Sequence, residues 1–187
     1  MLLINLFTVS IIFFNFSFLV CYSFRLKFKH DVLFIIKNWL VFRFYIQFNQ
    51  VIIFVNNIIR CETLKDILEK NEFPTIAIHA ELPQEERIKK FDSFKEFKTR
   101  IMVATELYGR GVDFLKVNTV INYDMSTDPD AYVHRVGRAG RFGTKGITIT
   151  FLASDEDQKV FDECLKKYPN IKAEVLPQVI DKAIYCK

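Results

Sequence analysis

The sequence predicts an α/β fold: a parallel sheet flanked by helices and preceded by an apolar amino-terminal segment. Three observations carry this expectation. From residue 47 to the end at residue 187, short β-branched runs alternate with stretches of helical periodicity, the pattern of a sheet covered on both faces. The composition changes near the start of that region: all six glycines lie at or beyond Gly109 and all five prolines at or beyond Pro74, while twelve of the twenty phenylalanines fall in the first 60 residues. Polar residues and glycines gather where the strands end, which in parallel sheets is where ligands bind. With 187 residues the chain has room for one domain of ordinary size.

The leader, residues 1–46, comes first. Met1 to Phe24 carries no charge, and as a helix rising 1.5 Å per residue it would reach across the roughly 30 Å of a bilayer core. Arg25, Lys27 and Lys29 follow at once and would hold that end on the cytoplasmic side. Residues 25–46 continue in the same Phe/Ile/Asn/Lys vocabulary without a defensible period and without Gly or Pro, which favours a faulty start or retained non-coding sequence over an anchor. A cleaved signal peptide fits worst, because the apolar run is too long and lacks a charged head. Only through residues 1–24 would the protein meet a membrane.

From residue 47 to residue 187 the elements read in order. "VIIFV" (51–55) suits a strand buried on both faces. "CETLKDILEKN" sets Leu64, Ile67 and Leu68 on one side of a helix. "TIAIH" is a strand, "PQEERIKKFDSF" a helix opening at Pro83, and "RIMVAT" and "TVINYD" are further strands. A helix opens at Asp128-Pro129 and is expected over 129–138; "GITITFL" is a strand, and Ser154 with Asp157 three residues on caps a final helix.

Charge and cysteine usage narrow the chemistry. The net charge of +4 is uneven, with Arg25, Lys27, Lys29, Lys37, Arg43 and Arg60 facing a single acid, Asp31, in residues 1–60. The remainder is near neutral, so a polyanion site there must be a local cluster. Cys21, Cys61, Cys164 and Cys186 form no CxxC pair, which speaks against a zinc centre or a disulfide framework and for a reducing compartment.

His79, Thr105 and Asp124 end three successive strands. After Thr105, "ELYGRGVD" offers Gly109 and Gly111 for a tight turn and Asp113 as an acceptor for hydroxyl groups. "AYVHRVGRAGRFGTKG" (131–146) then spaces Arg135, Arg138 and Arg141 at three-residue steps. On a helix, Tyr132, Arg135 and Arg138 would neighbour one another, with His134 beside Arg138. Planar guanidinium forks match phosphate oxygens, and such a cluster would stabilise charge on a phosphoryl group in transfer. A solvated basic helix end favoured by the helix dipole explains the spacing equally well.

These residues resemble a family. "HRVGRAGR" (134–141) is similar to motif VI of the DEAD-box RNA helicases, "ATELYGRGVD" (104–113) to motif V and "VIIFV" (51–55) to motif IV, while Gln84 and Arg87 of "PQEER" match the QxxR element. Their order agrees over residues 47–187, and "FPTIAIHAELPQEERIKKF", "GRGVDFLKVNTVINYDM" and "LPQVIDKAIY" most resemble the splicing and mRNA-export branch associated with the TREX complex. The resemblance implies a RecA-like helicase C-terminal domain and a nuclear setting. It implies that Gly111, Asp113, Arg138 and Arg141 bind ATP, Asp113 at the ribose and the two arginines at the phosphates. His134 would couple nucleotide to RNA, so that His134, Arg138 and Arg141 form the catalytic set. Gln84, Arg87, Thr105 and Gly111 would hold an RNA backbone, and mRNA-export or splicing factors would be further partners. Where the family has Gly after the strand-end histidine, this chain has Ala80 and Glu81, an acid that would weaken RNA binding if it pointed inward. No GxxxxGK[ST] loop and no DEAD tetrapeptide occur, so Mg²⁺ and half of the ATP site are expected from a first RecA-like domain, without which the chain is inactive. The rival reading is a non-catalytic RNA- or partner-binding module.

Overall fold

A computed structural model describes the backbone of residues 7–8, 10–14, 17–25, 49–105, 114–141 and 144–175, and the side chains of residues 49–105, 114–141 and 144–171. Gly109, Gly111 and Asp113 lie outside the described residues.

Five parallel strands build the centre: β4 (Gln50–Val55), β5 (Thr75–Ile78), β6 (Ile101–Thr105), β7 (Val117–Asn122) and β8 (Gly146–Leu152), in the spatial order β8-β7-β4-β6-β5. Val51 sits opposite Ile101 on one side, and Ile52 opposite Val120 on the other. Because side chains alternate across a strand, β4 feeds two cores. Ile52 and Phe54 join a cluster with Phe94, Tyr132, Val136 and Phe161. Val51, Ile53 and Val55 join one with Cys61, Leu64 and Leu68. Every residue of β4, β6 and β7 is buried, which explains why these strands read as continuous rather than alternating apolar runs.

The helices divide between the faces. α1 (Ile58–Lys70) covers the second cluster, while α2 (Gln84–Lys95), α3 (Pro129–Val136) and α4 (Asp155–Lys167) contribute to the first. Their starts obey local chemistry: Asn57, Asp128 and Ser154 accept from Arg60 N, Ala131 N and Asp157 N, and Asp157 closes a capping box with Ser154. α3 stops at Val136, two residues short of the expected end, because Gly137 ends the hydrogen-bonded run and Arg138 N turns back to Arg135 O.

Residues outside the expected elements add to the sheet. Backbone segments β1 (Phe7–Thr8), β2 (Ser10–Phe14) and β3 (Ser17–Arg25) are extended, with β3 parallel to β8 and antiparallel to β2. The stretch long enough to span a bilayer as a helix is thus extended over these segments. β9 (Ile171–Val175) completes that edge. No helix of the described residues is long and apolar enough to cross a membrane.

Candidate nucleotide and RNA site

All five central strands end on one rim, and the side chains there are held by a polar network. β4 runs out at Val55 into Asn56, whose N–H donates to Asp124 Oδ2 (2.9 Å) and whose Nδ2 donates to Met125 O (2.7 Å). Arg60, on the first turn of α1, forms an ion pair with Asp124, and hydrogen bonding to that carboxylate raises the pKa of the Arg60 guanidinium. Arg135 reaches the same knot from α3. Its guanidinium donates to Asp124 O (2.7 Å) and Asn56 Oδ1 (2.8 Å) and lies 5.3 Å from the Phe54 ring centroid.

That contact answers part of the arginine spacing. Arg135 is 1% exposed and Tyr132 0%, so neither stands in a surface row with Arg138. Tyr132 points into the core, its hydroxyl paired with Thr150 Oγ1 at 3.1 Å and its ring edge-on to Phe161. Arg135 is a bolt between α3 and the ends of β4 and β7. Asn56 and Arg60, its companions, were not singled out by sequence reasoning. Arg60 sits four residues after Asn56 with Asn57 as the cap between them, a signal that becomes meaningful only once Asp124 is known to lie opposite.

Arg138 and Arg141 lie beyond α3, on the loop that leads to the start of β8. Arg138 is 9% exposed and its Nε donates to His134 O (3.1 Å). Burial pushes its pKa down from the ordinary guanidinium value, and a partly desolvated cation attracts an anion more strongly than one in bulk water. His134 is exposed at the end of α3, and Arg141 is half-buried where the chain turns back to β8. There the Arg141 carbonyl accepts from Thr144 N (3.1 Å) and Thr144 Oγ1 (2.7 Å).

The glycines explain the shape of this turn. Gly140 adopts φ +65°, the left-handed region that favours glycine. A Cβ built on Gly146 would come within 2.4 Å of Gly140 N. The two glycines therefore allow the arginine loop to lie directly on the start of β8.

On the other side of the rim, His79 follows β5 and is 6% exposed, its Nε2 2.8 Å from Glu62 Oε1 of α1. The loop from His79 to Pro83 delivers the amino end of α2, so that Gln84 opens the helix exposed and Arg87 follows one turn later, half-buried. Thr105 closes β6 at the same rim and is buried. Glu81 and Ala80 are exposed; the acid points away from the packed interior. Gln84, Arg87 and Thr105 thus lie at the carboxyl rim, whereas the loop carrying Arg138 and Arg141 runs from the end of α3 to the start of β8, at the amino end of the sheet. Among the described residues no group of His, Cys, Asp and Glu could hold a metal ion, and Cys61 and Cys164 are buried free thiols whose pKa burial pushes up to about 12.

Comparison with known proteins bears on the family and the fold. The model of the helicase conserved C-terminal domain matches residues 36–143 and so begins inside the apolar leader. The ATP-dependent RNA helicase uap56 of Schizosaccharomyces pombe is 51% identical over 140 residues, which are 75% of this chain and 32% of the relative. The ATP-dependent RNA helicase WM6 of Drosophila melanogaster is 47% identical over 75% of this chain and 33% of its own. The chain thus spans about a third of the length of the curated relatives it matches. Among solved structures, the C-terminal domain of the DEAD-box protein Dbp5 superposes with a TM-score of 0.70 at 27% identity, covering 78% of this chain and 83% of that one. S. cerevisiae Dbp5 bound to RNA and ADP BeF3 superposes with a TM-score of 0.62 at 31% identity over 65% of this chain and 32% of that chain. With its RecA-like sheet and its motifs in family order, the chain belongs to the helicase conserved C-terminal domain family, in its DEAD-box branch.

Proposed function

We propose that this chain supplies the carboxyl-terminal half of an ATP-dependent RNA helicase acting in the nucleus on spliced or exported mRNA. The observation that carries the reading is the arginine loop. Arg138 is a nearly buried guanidinium whose pKa is lowered by that burial, and Arg141 follows it on a turn held against β8 by Gly140 and Gly146. These are the donor types that fit a polyphosphate. ATP would be held by Arg138 and Arg141 at its phosphates and by Asp113 at its ribose, with Gly111 letting the backbone come close. Bound there it supplies a phosphoanhydride whose hydrolysis drives domain opening.

This chain's own residues orient and neutralise. Arg138 and Arg141 offset negative charge on the phosphates, and His134, at the end of the helix that also carries buried Arg135, links that region to the rim where Gln84, Arg87 and Thr105 sit. Those three would hold an RNA backbone, which carries no base identity. S. cerevisiae Dbp5, a structural neighbour, was solved with RNA and ADP BeF3, and the likeness to the uap56 and sub2 helicases supports the splicing and export setting. The lysine loop and the Mg²⁺ carboxylates belong to a first RecA-like domain in this reading.

The chain alone is expected to hydrolyse no ATP above background. Fused to a first RecA-like domain from a relative, it should recover RNA-stimulated turnover. In that fusion Arg141→Ala should lose roughly 10³-fold or more in rate, the scale of an arginine that stabilises the transferring phosphoryl group, and Arg141→Lys should rescue it poorly because an ammonium lacks the fork. Turnover by the chain alone, or an Arg141→Ala fusion running at the parent rate, would overturn the proposal.

A further inference from the structure

The opposite rim of the sheet carries a second surface. Phe97 to Arg100 lead into β6 and Leu115 to Lys116 lead into β7, so these segments lie at the amino ends of the strands, a strand length of about 17–20 Å from the carboxyl rim. The rim is braced from within: the buried amide of Gln50, at the start of β4, donates to Phe94 O (2.6 Å) and Thr99 O (3.1 Å), and Arg100 Nε donates to Asn49 O (2.9 Å). Phe114 packs edge-on to Phe94 and stacks with Phe91, which fixes the turn carrying Leu115 and Lys116 beside the end of α2.

This frame presents an aromatic ring, several cations and an exposed aliphatic side chain together. Phe97 occupies φ +66° at the end of α2, a position where glycine is the usual residue and a large side chain is strained. Its ring is half-buried and lies beneath two cations, with Lys116 Nζ 4.4 Å and the Arg100 guanidinium carbon 5.7 Å from the centroid. Leu115, the neighbour of Lys116, is 68% exposed, one of three exposed large apolar side chains among the described residues. Lys98 adds a further cation next to Glu96.

We propose that this amino-end rim docks an acidic segment of a partner protein bearing an aliphatic side chain. The carboxylates would meet Lys116, Arg100 and Lys98, and the aliphatic group would cover Leu115 against Phe97. Charge selects the partner class: among the described residues of this patch, Lys98, Arg100 and Lys116 outnumber the one acid, Glu96. A nucleic acid fits less well, because the one aromatic ring already faces two cations rather than offering itself for base stacking, and a phosphate backbone gains nothing from Leu115. Occupation of this rim leaves Gln84, Arg87 and Thr105 at the carboxyl rim open, so the partner would bind together with RNA. The proposal does not depend on the assignment of Arg138 and Arg141.

The full chain can be titrated with a fluorescein-labelled peptide of mixed Glu and Leu, about twelve residues long, and in parallel with single-stranded oligouridine. The peptide should bind, a version with Lys in place of Glu should not, and Lys116→Glu and Leu115→Ser should each weaken peptide binding by about fivefold or more without altering the far-ultraviolet spectrum or the affinity for oligouridine. Lys116→Arg should retain binding, since it keeps both the charge and the contact with the ring. Lys159→Glu, the same charge change on the exposed side of α4, should leave peptide affinity unchanged. Equal affinity for the acidic and basic peptides, or insensitivity to both Lys116→Glu and Leu115→Ser, would overturn the proposal. So would a Lys116→Glu variant that loses oligouridine and keeps the peptide, which would make the rim an RNA surface.

Discussion

Three arginines at equal spacing serve two different purposes, and burial separates them. Arg135 turns inward and satisfies the Asp124 carbonyl and the Asn56 side-chain oxygen, both at the ends of central strands, whereas Arg138 and Arg141 follow the end of α3 on the loop to the start of β8. Removal of the Arg135 fork leaves those acceptors orphaned, at about 1–3 kcal/mol for each one buried. Arg135→Ala is therefore expected to lower the urea midpoint sharply, and Arg135→Lys to recover only part of the loss, because a single ammonium cannot reach two acceptors on separate strands in a fixed plane. Arg141→Ala should leave the same midpoint almost where it was. An unchanged midpoint for Arg135→Ala would contradict the division. The distinction was not legible from spacing: a three-residue step places side chains near one another along a helix but says nothing about which of them faces a sheet.

At the scale of elements, sequence signals were strongest where chemistry is local. The caps at Asp128 and Ser154, the opening of α2 at Pro83 and the continuous apolar strands all stand close to where their residues implied. Helix ends were harder to read, because two of them do not use the usual residue. α1 closes with Phe73 N donating to Leu68 O (3.0 Å) and Glu72 N to Glu69 O (2.9 Å), a left-handed cap normally built on glycine, yet Glu72 holds it at φ +65°. α2 closes the same way on Phe97. With no glycine before Gly109, nothing in the sequence marked either turn. Glu72 is exposed and makes no packing contribution, so Glu72→Gly should raise stability by about 0.5–1 kcal/mol, the relief of left-handed strain less the added freedom of the unfolded chain. Glu72→Ala should not, since alanine keeps the Cβ that causes the strain. A urea midpoint that fell in Glu72→Gly would show that the cap is not strained. The motif loops were legible as chemistry for the opposite reason: glycines at Gly140 and Gly146 are required by a backbone approach that no other residue permits.

For the whole molecule, the parallel sheet separates two rims, and the consequence for RNA follows from how few charges the carboxyl rim gives it. Of Gln84, Arg87 and Thr105 only Arg87 carries a charge, and counterion release scales with the number of phosphates neutralised, with a slope of about −0.7 per contact for single strands. The isolated chain is expected to bind single-stranded RNA weakly, with affinity falling only shallowly as salt rises. Hydrogen bonds from an amide and a hydroxyl to the backbone position a strand without reading it, so oligouridine and oligoadenosine of equal length should bind alike. Arg87→Ala should reduce affinity for both by the same factor and flatten the salt dependence by about one contact. Fusion to a first RecA-like domain should steepen the slope, because that domain would bring its own phosphate contacts to the same strand. Fluorescence anisotropy over a salt series measures all of these. A steep slope from the chain alone would mean that the arginine loop, not the amino end of α2, holds the RNA, and a pronounced base preference would mean that side chains at this rim read base edges rather than the backbone.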